Sequence, residues 1–229
     1  VRSRRQRQMC IRDRFIDRER DQFDAVLFYG GVNDWQTGMI PSWWKTSKQH
    51  SPSFYNSYDG LFYLTELCEK NNWLLIFKPH PNVPISNLKE INSKNLAIFR
   101  HANILECIEE ADVIITPFSS ISYNALMRNK PLVMFGHNHL SITETYYKSE
   151  TLFDLEQRIS EALRKDDLDE KLARFNIHLA QILKGYLYPY NQKGEELMGK
   201  TSMDTTRFIL KNLSLGNWDS KYEMFTYKK

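Results

Sequence analysis

Asp112-Val-Ile-Ile-Thr-Pro-Phe-Ser-Ser-Ile-Ser-Tyr-Asn-Ala-Leu-Met-Arg-Asn-Lys-Pro-Leu-Val-Met-Phe-Gly136 is the stretch on which the fold turns. Val113–Thr116 is a run of β-branched residues, and Pro117 stops it, because proline cannot donate to a sheet ladder. Ser119 or Ser120 can cap the helix that runs on to about Asn129. Pro131–Phe135 is a further apolar run, closed by Gly136. A strand, a helix and a second strand in such close succession make a crossover unit, which joins parallel strands.

The same alternation extends outward on the N-terminal side. Asp24–Tyr29 is a short apolar run ending in Gly30-Gly31, the profile of a buried strand followed by a tight loop. A long polar and aromatic loop, Val32–Ser53, follows it. Tyr58, Leu61, Leu64 and Cys68 recur at helical spacing, so Phe54–Asn71 reads as an amphipathic helix. Trp73–Phe77 is the second strand, left by Lys78-Pro79-His80-Pro81, and Leu96–Phe99 is a weaker third. Asn103 and Glu106 have the spacing of a capping box and open a short helix. Val113–Thr116 and Pro131–Phe135 are then strands four and five. Continuous apolar strands between helices predict an α/β fold, a doubly wound, Rossmann-like parallel sheet covered on both faces.

Beyond Gly136 the chain reads as helical. Leu152, Leu155, Ile159 and Leu163 form one stripe, and Leu168, Leu172, Phe175 and Leu179 another. The expected organisation is a lead-in at 15–23, a Rossmann-like domain at 24–165, C-terminal helices at 166–213 and an aromatic tail at 214–229. One of those helices is placed near Glu195–Leu213. Trp218, Tyr222 and Phe225 in the tail, with Lys228 and Lys229, suggest a peripheral membrane contact.

With 41% hydrophobic and 26% charged residues in 229, the chain has the make-up of a soluble globular protein with a real core. No apolar run approaches the roughly 20 residues of a membrane span. No signal peptide is visible, and Cys10, Cys68 and Cys107 lack metal-ligand spacing, so a cytoplasmic setting with reduced thiols is expected. The formal charge of +3 does not indicate nucleic acid. Residues 1–20 hold eight arginines against Asp13, Asp17 and Glu19, a net of +5, which leaves −2 for everything after them. That basic head contains Met9-Cys10-Ile11-Arg12-Asp13, the translation of a transposon sequencing adapter's mosaic end. Residues 1–14 are therefore expected to be adapter rather than gene, with the upstream part of the gene missing.

Ligands of open α/β sheets bind beyond the carboxyl ends of the strands. Lys78 and His80 follow strand two, Ser119 and Ser120 follow strand four, and Asp34 and Gln36 follow strand one. Serines opening a helix offer unpaired N–H groups to an anion, Lys78 a point charge and His80 a directional donor. Together they describe a site for a phosphate-bearing ligand. If strands two and four are neighbours, their loops surround one anion. Taken alone, Lys-Pro-His-Pro is also a rigid turn, and the serine pair a plain helix cap.

Phe77-Lys78-Pro79-His80-Pro81, Asp112-Val-Ile-Ile-Thr116, Phe118-Ser119-Ser120 and Lys130-Pro131-Leu-Val-Met-Phe-Gly136 resemble the capsule polysaccharide biosynthesis family. That family includes bacterial Kdo transferases of the two-domain glycosyltransferase B fold. Bacterial sialyltransferases and CDP-glycerol phosphotransferases share a similar His-Pro and serine pairing. The resemblance covers about Asp24–Leu163. It implies the C-terminal, donor-binding half of a glycosyltransferase for surface polysaccharide, at the inner face of the membrane, with a CMP-activated sugar such as CMP-Kdo as donor. It further implies a glycolipid or polysaccharide acceptor, no metal or other cofactor, and no nucleic acid. Lys78, His80, Ser119 and Ser120 would hold the leaving phosphate, with His80 and Asp34 as the catalytic pair. Asn124 stands where the family usually has a glutamate that reaches the ribose. Gly30-Gly31 replaces the family's usual glutamine.

An acceptor domain preceding Asp24 is expected, so the chain reads as an incomplete enzyme. Two rivals remain open. One is the same fold transferring a polyol phosphate from a CDP-alcohol, and the other a non-catalytic regulatory domain of the receiver type. Against the second, glycines stand where strand one ends, where a receiver places acidic residues.

Overall fold

The computed structural model describes residues 20–31, 54, 57–80, 91–136 and 138–185. The adapter-like head, Asp34, Gln36, the helix expected near 195–213 and the aromatic tail lie outside the described residues. The chain divides into two compact units, Val1–Phe175 and Asn176–Lys229. The first contains the whole sheet.

Six parallel strands alternate with helices: β1 Ala25–Gly30, α1 Ser57–Lys70, β2 Trp73–Lys78, β3 Leu96–Ile98, α2 Ile104–Glu110, β4 Val113–Thr116, α3 Ile121–Leu126, β5 Leu132–Met134 and β6 Tyr147–Lys148. Then come α4 Leu152–Arg164 and α5 Leu168–Gly185, on the two stripes read from the sequence. The sheet order is β3-β2-β1-β4-β5-β6. The chain winds outward from β1 in one direction, returns to the centre and winds outward in the other. This is the doubly wound parallel sheet predicted above.

β1 lies at the centre, and its Val26, Leu27, Phe28 and Tyr29 are all buried. A strand covered on both faces has no polar side to alternate, so its sequence is one apolar run. Ala25, Leu27 and Tyr29 join Leu61, Leu64 and Cys68 of α1 and Leu155 and Ile159 of α4 in one cluster. Val26, Phe28, Ile76 and Ile114 face the other way, towards α2 and α3, where Cys107, Ile108 and Ala125 are equally buried. The two described cysteines are thus core thiols.

Polar groups stitch the amino ends of the strands. Asp112 accepts from the Val26 N–H at 2.9 Å and from Arg20 at 2.9 Å. Buried Asn95 donates to the carbonyls of Cys68 and Trp73, at 3.1 and 2.7 Å.

Three details differ from the sequence reading. α3 ends at Leu126 rather than near Asn129, because Asn129 takes a left-handed conformation at φ 55. Lys78 is the last residue of β2 instead of the first outside it. β6 was not expected at all, since two residues are too few to show a period.

The start of α4 carries a stability prediction. Asp154 accepts from Ser149 Oγ at 2.9 Å and from the N–H groups of Thr151 and Glu150, both at 3.1 Å. Burial raises its pKa, but those three bonds and the nearby Arg158 outweigh burial and hold it below the ordinary aspartate value. A carboxylate depressed in the folded state stabilises above its unfolded pKa, about 3.9, and that stability is lost as pH falls through the folded value. Asp154→Asn is expected to cost about 1 kcal/mol at neutral pH and to flatten the loss of stability on acidification below about pH 4. Urea unfolding at pH 7 and pH 3 measures both; equal acid sensitivity in the two proteins would count against the assignment.

Candidate functional site

The strand order reverses between β1 and β4, and open sheets of this kind take ligands in the crevice beyond the carboxyl ends at such a switch point. Gly30 closes β1 and pairs in register with Lys78 of β2. On the other side Tyr29 pairs with Ile115, which makes Thr116 the next residue beside Gly30. Lys78, Gly30 and Thr116 therefore form a row across three strands. By the alternation of a strand, all three belong to the face covered by α2 and α3. Electrostatics agrees for Lys78: burial pushes the Cys107 thiol on α2 up to about 12, and the Lys78 ammonium pulls it the other way.

The glycine pair lets loops from both sides close over β1. A Cβ on Gly30 would lie 2.2 Å from Ile121 Cδ1, at the start of α3. A Cβ on Gly31 would lie 3.1 Å from both His80 N and Pro79 Cα and 3.2 Å from the Lys78 oxygen. The Gly31 N–H donates to that oxygen at 2.9 Å. Side chains at positions 30 and 31 would occupy the space that the Lys78–His80 turn and the serine loop now fill.

The serine loop is held from within. Ser119 N–H donates to Thr116 Oγ1 at 3.2 Å, and Thr116 is fully buried. Ser119 Oγ accepts from the Ile121 N–H at 3.4 Å, so Ser119 does the capping. Ser120 occupies the N-cap position with helical dihedrals and no side-chain cap bond, and it is exposed. Asn124 turns its amide back towards the Ser120 carbonyl at 3.5 Å, one turn along the helix.

Lys78 and His80 thus lie at the carboxyl end of β2 and Ser119, Ser120 and Asn124 in the segment that follows β4, while Asp34 lies outside the described residues. The condition that strands two and four are neighbours is not met, because β1 runs between them. Two inter-strand steps separate them by roughly 10 Å. Sequence reasoning also passed over Thr116, whose signal was its place as the last residue of strand four. It passed over Asn138 as well, whose amide reaches Ser122 Oγ at 3.1 Å from sixteen residues away. Away from this site, Asp167 accepts from Tyr147 at 2.6 Å and pairs with Lys171 at 2.9 Å.

A parallel sheet of this order, with a glycine-ended central strand at its switch point, places the protein among the doubly wound α/β domains that take ligands at that crevice. The chain belongs to the CDP-glycerol:poly(glycerophosphate) glycerophosphotransferase family, whose sequence pattern matches residues 39–166. This transferase family is one of the related groups that the motifs resemble. No curated protein matches the chain.

Among solved structures it is similar to the glycotransferase of kitacinnamycin, at 15% identity and TM-score 0.46, over 69% of this chain and 39% of that one. It is also similar to the wall teichoic acid polymerase TagF, at 15% identity and TM-score 0.43, over 72% and 41%. A third is the KpsC β-Kdo 2,7-transferase of Thermosulfurimonas dismutans, at 21% identity and TM-score 0.40, over 66% and 50%. The chain spans between 39% and 50% of the length of these three proteins.

Proposed function

We propose that this chain binds the cytidine nucleotide of an activated donor, as the donor half of a two-domain transferase of the glycosyltransferase B type, with a CDP-alcohol, whose polyol phosphate is transferred, as the donor. The observation that carries the reading is the glycine pair at the switch point, with Lys78–His80 on one side and Thr116–Ser120 on the other. A diphosphate offers one phosphate to each loop, whereas a monophosphate reaches only one of the two, because β1 runs between them. Family membership supports the same donor.

In the reaction, an acceptor hydroxyl oxygen bonds to the polyol-bearing phosphorus, the phosphoanhydride bond breaks, and CMP leaves. Lys78 and His80 on one side and the serine-loop N–H groups on the other stabilise charge on the two phosphates, one leaving with CMP and one being transferred, which asks for no metal. Asp34 or His80 takes the acceptor's proton, and Asn124 meets the ribose. The acceptor is a surface polymer or glycolipid, reached from the cytoplasm at the membrane surface; no helix among the described residues is long and apolar enough to cross a membrane. A CMP-activated sugar such as CMP-Kdo, as the motifs first suggested, shares the leaving nucleotide but carries one phosphate.

A thermal-shift panel of CDP-glycerol, CDP, CMP, CMP-Kdo, UDP and GDP, with and without EDTA, tests the reading. A ligand at a hundred times its Kd adds about 2.7 kcal/mol of stability. CDP-glycerol and CDP are expected to give the largest shifts, unchanged by EDTA. A larger shift with CMP-Kdo would move the donor to the sugar class, and equal shifts with UDP and GDP would end the cytidine reading.

A further inference from the structure

We infer that Asn138 is a positioning residue that sets the shape of the serine loop from the neighbouring strand end, acting through the buried hydroxyl of Ser122. The inference rests on the reading of that loop as a phosphate site. Asn138 follows β5 and caps the single turn His139–Ile142. Its Oδ1 accepts from the Leu140 N–H at 2.8 Å, and its own N–H donates to Ser141 Oγ at 2.9 Å. With its backbone and carbonyl oxygen committed, only the amide Nδ2 remains. Both of its contacts cross to the serine loop: Ser122 Oγ at 3.1 Å and the Phe118 carbonyl at 3.4 Å.

Ser122, fully buried, passes the restraint on by donating to the Ser119 carbonyl at 2.8 Å, and its own N–H donates there too at 3.0 Å. The carbonyls of Phe118 and Ser119 are thus both held from Asn138, one directly and one through Ser122. A trans peptide is planar, so the N–H of each unit points opposite to its C=O. Fixing the Phe118 carbonyl aims the Ser119 N–H at Thr116, where the 3.2 Å bond is found. Fixing the Ser119 carbonyl aims the Ser120 N–H the other way, away from Ser122. That N–H, beside the exposed Ser120 side chain, is the donor the clamp presents to a phosphate.

Without the clamp the Phe118 carbonyl loses its Asn138 partner and the Ser119 carbonyl keeps only the Ser122 N–H, so more of the loop's order must come from the ligand itself. Because Asn138 and Ser122 are bonded to each other and restrain one loop, their losses should overlap. In calorimetric titrations of the full chain, Asn138→Ala and Ser122→Ala are each expected to lower CDP affinity about tenfold, with cytidine affinity unchanged. The double substitution should cost less than the sum of the two. Ser122→Ala leaves the Asn138 cap of the following turn intact, so it carries the test should Asn138→Ala not fold.

A lower melting temperature with an unchanged CDP-to-cytidine ratio overturns the inference, since a merely structural clamp moves stability alone. Failure of the underlying reading looks different: the unsubstituted chain itself then shows no preference for CDP over cytidine, and Ser119→Ala changes nothing.

Discussion

Gly30→Ala is expected to lower the melting temperature by on the order of 5 °C, corresponding to about 1–3 kcal/mol of overpacking. The added methyl would sit 2.2 Å from Ile121 Cδ1, well inside any real carbon–carbon contact. Ile121 is 5% exposed, so it cannot simply swing aside. Either the Ile121 side chain repacks against its buried neighbours, or β1 or the first turn of α3 shifts, and the serine loop moves with the last of these.

A second substitution makes the cause testable. Ile121→Val removes the clashing Cδ1 and alone costs about 0.5–1.5 kcal/mol as a core truncation. Placed on Gly30→Ala, it is expected to stabilise. That reversal of sign belongs to a steric clash and to no general loss of glycine flexibility. Denaturant unfolding of the four proteins measures it; additive costs would show that the contact between β1 and α3 is not what requires the glycine. Gly31→Ala should also destabilise, with no such rescue, because its neighbours at 3.1–3.2 Å are backbone atoms.

His80→Ala and Ser119→Ala are each expected to weaken CDP binding about ten- to a hundredfold while leaving cytidine nearly unaffected, the loss of one hydrogen bond to a charged phosphate. Lys78→Ala should act similarly with a steeper salt dependence, since a mobile ammonium is screened more than a fixed donor. The double-mutant cycle carries the structural content. Had β2 and β4 been neighbours, one anion would be shared and the losses would fall short of additivity. With β1 between them, the two loops meet different phosphates of CDP, and the losses of His80→Ala and Ser119→Ala should add within about 0.5 kcal/mol. For CMP, with one phosphate, only one of the two substitutions should matter. Strong sub-additivity with CDP would return the site to a single shared anion. Lower melting temperatures with CDP preference intact would reduce it to a proline turn and a helix cap.

The sequence by itself determined the elements and the class. Trp73–Phe77 and Val113–Thr116 are legible because a strand buried on both faces must be apolar throughout, and the prolines at 79 and 117 mark where each stops. The stripes at Leu152–Leu163 and Leu168–Leu179 are legible because the helical period is local. Lys78, His80, Ser119 and Ser120 could be named because chain direction alone puts them at carboxyl ends.

Tertiary structure decided who stands next to whom. Nothing within β2 or β4 records that β1 lies between them, since strand order is a choice among non-local pairings of similar apolar runs. Gly30 reads locally as a turn residue, and only the approach of Ile121 shows it to be a contact. Asn138 carries no signal near its own position, because its partners Phe118 and Ser122 belong to another strand end. β6, at two residues, is a strand only because Met134 lies beside Lys148. Periodicity and turn chemistry act over a few residues and can be read from one segment; convergence of loops on a site is set by sheet order, which no single segment contains.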